Sequence, residues 1–237
     1  MLKKITIDNV LFLDIETVPL YPNFESLDDY SKDLFAEKTA YQRKDEISPE
    51  DFYQRAGIWA EFGKIICISV GYFLHKNDIR QFRTTSFFGE EKNLLHDFSN
   101  LLQNHFNSAS IQLCGHNIKE FDLPFIARRM IINNLNIPEK INNMGKKPWE
   151  INHLDTLELW KFGDYKHYTS LKLLTHILQI PSPKDDIDGS EVAKVYYQDN
   201  DIDRIITYCE KDVVAVAQII LRLKNLPLLD NSEIKSV

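Results

Sequence analysis

Cysteine is scarce: the 237 residues contain three, Cys67, Cys114 and Cys209. They are odd in number, far apart, and form no C-x-x-C pair beside histidine, so neither a disulfide framework nor a zinc site is indicated. A reducing cytoplasm is the simplest setting. No run of about 18 apolar residues occurs, so no membrane span is expected. The start Met1-Leu2-Lys3-Lys4 leads straight into an alternating strand pattern without an apolar signal core, so no export signal is expected either. Internal repeats and low-complexity stretches are absent. Basic charge is in deficit, with 28 Lys+Arg against 35 Asp+Glu and a net charge of −7, which argues against a protein held on nucleic acid by bulk electrostatics alone. A local basic path stays open.

What remains is an ordinary folded chain. Hydrophobic residues make up 43% and aromatics 11%, enough for a real core, and the length fits one large domain or two small ones. Residues 5–14 read as a hairpin arm followed by a buried strand that ends in acid. From Pro19 to about Glu61 the sequence turns polar and tyrosine-rich, with helix-like pieces at 27–43 and 49–59 but no strong core pattern. An insertion or flap is expected over about 20–61. Strands follow at 64–73 and 79–87, with Asn77-Asp78 as the turn. Leu94, Leu95, Phe98, Leu101 and Leu102 mark an amphipathic helix over 90–106. A strand at 110–115 and a helix at 122–133 come next, with Pro124 tolerated in the first turn. A short strand at 151–155 precedes helices at 156–160, 170–178, 190–197 and 201–224. This order predicts an α/β three-layer fold with a mixed sheet.

Asp14-Ile15-Glu16 is the sole D-x-E of the chain and lies where a buried strand ends. Strand alternation turns both carboxylates to one face, where they repel unless solvent or a divalent metal neutralises them. Oxygen-rich carboxylate sites suit Mg²⁺ or Mn²⁺, while a solvated strand end is the plain alternative. Asp122, at a helix start, reads alone as an N-cap. Tyr208 and Asp212 are an i, i+4 pair inside a helix built on Ile202, Ile205, Cys209, Val213, Val216 and Ile220, and they border its apolar stripe. Asp155, opening Asp155-Thr156-Leu157-Glu158, reads as a structural cap.

In this order the acids resemble the three exonuclease motifs of the DEDD superfamily, in its tyrosine-containing branch. Asp14-Ile15-Glu16-Thr17 resembles the first motif, Asn117-Ile118-Lys119-Glu120-Phe121-Asp122 the second, and Tyr208-Cys209-Glu210-Lys211-Asp212 the third. The histidine branch requires H-x-x-x-x-D, and none of the seven histidines has Asp at that offset. Phe62–Val70, Thr169–Leu174 and Ile180–Val192 resemble a family of predicted stand-alone 3′-5′ exonucleases related to the proofreading domain of family B DNA polymerases.

The resemblance implies a ribonuclease H-like fold and a site for two divalent ions, Mg²⁺ or Mn²⁺. It implies that Asp14 bridges the ions, that Glu16 and Asp212 hold the one that activates water, and that Asp122 holds the other through its water shell. Tyr208 would orient the attacking water. Thr17, Asn117 and Lys184 are candidate substrate contacts, although Asn117 reads equally as a turn residue and Lys184 equally as a solvated loop lysine. The expected partner is nucleic acid with a single-stranded or frayed 3′ end, DNA favoured over RNA, without a membrane. An exoribonuclease of the same fold and a non-catalytic nucleic-acid-binding module are the alternatives.

Overall fold

The computed structural model describes residues 5–43, 47–76, 79–164, 166, 168–181 and 187–237. Lys184 and the Asn77-Asp78 turn lie outside the described residues. Six strands form one mixed sheet in the order β5-β4-β1-β2-β3-β6. Strand β1 (Val10–Pro19) pairs antiparallel with β2 (Gly63–Lys76), which pairs antiparallel with β3 (Ile79–Phe88). On the other side β1 runs parallel to β4 (Gln112–Gly115), which runs parallel to β5 (Leu154–Asp155). β6 (Ile234–Ser236) adds to the outer edge of β3, also in parallel.

Alternation along β1 sorts its side chains into two layers. Leu11, Leu13 and Ile15 pack with α3 (Glu91–His105) and α4 (Asp122–Ile132) through Leu94, Leu95, Phe98, Phe125, Ile126 and Met130. Val10 and Phe12 pack on the opposite face against Val213, Val216, Ala217 and Ile220 of α8 (Ile202–Leu223). Each such fully buried aliphatic side chain is worth roughly 1.5–3 kcal/mol in area terms, so the apolar stripe of α8 fixes that helix against the sheet. This is the three-layer α/β arrangement expected from the order of elements.

Several local readings change. The hairpin arm before β1 is instead a 3-10 turn at Ile7–Asn9, and the strand begins at Val10. The helix expected over 190–197 is one α-turn at Val192–Lys194 followed by a π-turn at Val195–Asp199, closed by Asn200 in the left-handed region. The helices expected at 156–160 and 170–178 are α5 (Thr156–Lys161) and α6 (Leu171–Ile177). Residues 20–61 carry α1 (Asp29–Thr39) and α2 (Pro49–Phe52) and have a small core of their own. Phe35 sits at its centre, edge-on to Tyr53 at 5.3 Å and Phe62 at 5.1 Å, with Leu27, Phe52 and Ala56 around it. Tyr197 ties this segment to the third layer, its hydroxyl donating to the carbonyls of Pro19 at 2.6 Å and Leu20 at 3.0 Å.

Candidate active site

The even-numbered side chains of β1 that follow Val10 and Phe12 on the α8 face are Asp14 and Glu16. Their carboxylates therefore emerge where α8 crosses the sheet, and a ligand atom from each lies within 4.8 Å of the other and of the Cys209 sulfur. Glu16 is buried, Asp14 partly so. The pairing of β1 with β2 slips between Glu16 and Thr17, an irregularity of the kind that bends a strand and re-aims the side chains beside it.

Asp122 joins from the other layer. It is buried at the first turn of α4, and its carboxylate is not spent on a cap: it faces its own backbone N–H and that of Ile15, which partly offset the effect of burial on its ionisation. The loop that delivers it is tightly built. Gly115 ends β4 where an added Cβ would sit 2.8 Å from the Ile118 side chain and 3.0 Å from the Leu13 carbonyl, so a larger residue would push the loop off β1. Asn117 follows in the left-handed region at φ 67, where asparagine is among the tolerated residues. Its carbonyl accepts the N–H of Phe121 at 3.0 Å, which closes the turn.

Two residues hold that loop from beneath. Asp155 caps α5 as expected, accepting the N–H of Leu157 at 3.0 Å, but its two oxygens also take the N–H groups of Asn117 at 3.0 Å and Lys119 at 3.2 Å. His116 uses both ring nitrogens, one 2.9 Å from the Thr156 hydroxyl and the other 2.9 Å from the Thr169 carbonyl. Sequence reasoning treated Asp155 as a cap alone and did not single out His116. The signal was faint, because both act through backbone groups distant in sequence.

Asp212 acts electrostatically on both Asp14 and Glu16, which places the end of the third motif at the same cluster. Tyr208, one turn earlier on α8, is half-buried against the apolar patch of Val18, Ile66 and Ile205. The structure thus brings Asp14, Glu16, Asp122 and Asp212 together and sets Tyr208 and Thr17 on the elements that carry them. Asn117 has a defined turn role.

The electrostatics are those of a cluster of like charges. Burial first, then the charges of Asp122, Asp212 and Glu16, push the Asp14 carboxyl well above its ordinary range. Burial and Asp212 do the same for Glu16, and burial pushes Asp122 up to about 7. Among the described residues, the carboxylates of the cluster reinforce the effect of burial on one another. Lys119 is occupied by Glu158 at 2.8 Å and Arg129 by Glu91, leaving those cations as structural partners. A hard oxygen donor set of like charge fits Mg²⁺ or Mn²⁺.

Residues 58–231 match the family described as predicted 3′-5′ exonucleases related to the exonuclease domain of PolB. Asp14 and Glu16 precede the matched stretch. Among solved structures, the family B DNA polymerase of the hyperthermophilic archaeon Pyrobaculum calidifontis is similar over 91% of this chain, with a TM-score of 0.57 and 13% identity. The chain spans about a quarter of that polymerase, 24% of its length. At that identity the likeness shows the fold, which is ribonuclease H-like. No curated protein matches. Among the described residues, no helix is long and apolar enough to cross a membrane.

Proposed function

Since the chain belongs to the family of predicted 3′-5′ exonucleases related to the exonuclease domain of PolB, we propose that it hydrolyses phosphodiester bonds from single-stranded or frayed 3′ ends of DNA in the cytoplasm. The products are nucleoside 5′-monophosphates. The observation that carries this reading is the convergence of Asp14, Glu16, Asp122 and Asp212, whose charges act on one another. These four side chains would hold two divalent ions, Mg²⁺ or Mn²⁺. Such ions supply a nucleophile made from water and a counter-charge for the departing oxygen.

The remaining roles belong to the chain. Tyr208 orients the attacking water through its hydroxyl, and since a phenol is a poor base near neutral pH, it serves as a hydrogen-bonding group before it serves as a base. Water adds to the terminal phosphorus as the bond to the penultimate 3′ oxygen breaks, and that oxygen leaves as a 3′-hydroxyl. Thr17 on β1, Asn117 in the second-motif turn and Lys184 contact the substrate. The aspartates must be ionised to hold cations, so their raised proton affinity sets a competition between protons and metal.

The test incubates purified protein with 3′- and 5′-labelled DNA and RNA oligonucleotides, with and without Mg²⁺ or Mn²⁺. Metal-dependent release of mononucleotides from the 3′ side, faster on DNA, is expected. Preference for RNA would make the protein an exoribonuclease, and binding without hydrolysis under every condition would make it a non-catalytic module.

A further inference from the structure

We propose that Cys209 is a positioning residue for Asp14, its thiol donating to the carboxylate and fixing the orientation in which Asp14 meets metal. The inference rests on the metal site argued above. The Cys209 sulfur lies 3.5 Å from the Asp14 carbonyl oxygen and 3.6 Å from its Oδ2. It is fully buried, one residue past Tyr208, on the face of α8 turned to the sheet.

A proton inventory across the sheet shows where the thiol hydrogen goes. The Glu210 carboxylate can only accept, and it takes the Ser86 hydroxyl at 3.0 Å and the Thr84 hydroxyl at 3.0 Å. Ser86 has spent its proton, so in the 2.8 Å contact between them Ser69 donates to Ser86. Ser69 has then spent its own, so in the 3.6 Å contact behind it the Cys67 thiol donates to Ser69. The Cys67 side chain is also a neighbour that acts on Cys209. Cys209 therefore has one proton and three acceptors beside it, the neutral sulfur of Cys67, the Asp14 carbonyl oxygen and the Asp14 carboxylate. In the ionised form that binds metal, the charged oxygen is the strongest of these acceptors, and the hydrogen points at the Asp14 carboxylate.

A thiol suits this position because it is a weak donor. It holds one oxygen of Asp14 in place without supplying a positive charge, so the carboxylate keeps the negative charge that a cation requires. Groups that orient metal-binding carboxylates commonly change metal affinity by about 10–100-fold when removed.

The experiment titrates Mn²⁺ calorimetrically into substrate-free protein at fixed pH, comparing wild type, Cys209→Ala and Cys209→Ser, with urea unfolding midpoints measured alongside. Cys209→Ala is expected to weaken Mn²⁺ binding about tenfold. Cys209→Ser, which retains a donor in nearly the same volume, is expected to recover most of that loss. Wild-type affinity in Cys209→Ala overturns the inference. So does a serine variant as weak as the alanine variant at an equal unfolding midpoint, because the side chain would then act through packing. A wild-type protein that binds no Mn²⁺ removes the proposed metal site itself, and the inference with it.

Discussion

The backbone N–H of Ile15, the residue between Asp14 and Glu16, acts on the carboxylate of Asp122 and eases its ionisation. The start of α4 and the strand that carries the first motif thus meet at a group that is also a candidate metal ligand. Asp122→Asn keeps an acceptor for Ile15 and removes the charge. It should fold with a urea midpoint at or above that of the wild type at pH 8, since it relieves repulsion, while turnover falls by ~10²-fold or more. Turnover near the wild-type rate would remove Asp122 from the site.

Raised carboxyl pKa values make metal binding and pH a single variable. Asp122 ordinarily ionises near 3.8 but in the fold does so at about 7, and Asp14 and Glu16 move in the same direction. A raised acid holds its proton in the folded state over a range where the unfolded chain has released it. Its contribution to stability is therefore present below about pH 4 and lost as pH rises through 7. Metal reverses that loss by binding the ionised form. The gain in melting temperature from excess Mg²⁺ or Mn²⁺ should grow steadily from pH 5 to pH 8. A gain independent of pH would show that protons and metal do not share these carboxylates.

His153 gives a pH dependence of opposite sign. Its Nδ1 accepts the Leu113 N–H at 3.2 Å and its Nε2–H donates to the Lys140 carbonyl at 2.9 Å, so the buried ring is built to be neutral. Burial lowers its pKa from 6.5 to about 4. The stability it contributes is present above pH 6.5 and lost as pH falls towards 4, because the unfolded chain takes up the proton first. The slope is bounded at ~1.4 kcal/mol per pH unit. The difference in unfolding free energy between wild type and His153→Gln should therefore be smaller at pH 5 than at pH 7. An equal difference at both would mean that the ring titrates normally.

The clustered side chains were legible because strand and helix phase fix which of them share a face: Asp14 and Glu16 by alternation, Tyr208 and Asp212 by the helical turn. The parts that position them were not. Glu210 lies inside the third motif, yet its work is to accept the hydroxyls of Thr84 and Ser86 on β3 and of Ser236 on β6, at 3.0, 3.0 and 3.2 Å. No spacing in the sequence announces such contacts. β6 escaped notice because only Ile234 of its three residues is even half-buried, leaving no alternation to see. The aromatic core at 20–61 was hidden for another reason. Phe24, Phe35, Phe52, Tyr53, Trp59 and Phe62 follow neither a period of two nor of 3.6, so they register as scattered residues until the loop folds around Phe35.

Tyr208→Phe tests the water-orienting hydroxyl with almost no change in shape. Packing against Val18, Ile66 and Ile205 is retained, so stability should stay close to wild type. Removing one positioned hydrogen-bonding group should slow hydrolysis by roughly 10–10³-fold at saturating metal. An unchanged rate would leave Tyr208 as a packing residue only.

Substrate ends should be ranked by how freely their terminal nucleotide leaves the stack. A phosphodiester reaches a cluster held between β1, α4 and α8 only if that nucleotide is splayed away from its neighbour, and unpairing a base costs a few kcal/mol. The protein has little electrostatic energy to spend on this: its net charge is −7, and Lys119 and Arg129 are already paired with Glu158 and Glu91. Few phosphate contacts mean a weak grip on duplex DNA. A single-stranded oligonucleotide and a duplex with a mismatched 3′ end should therefore be cut faster than a blunt duplex at equal concentration and fixed salt. A blocked 3′-phosphate version serves as control. Equal rates on all three ends would reject the preference for unpaired termini, and release of product from the 5′ side would reject the polarity.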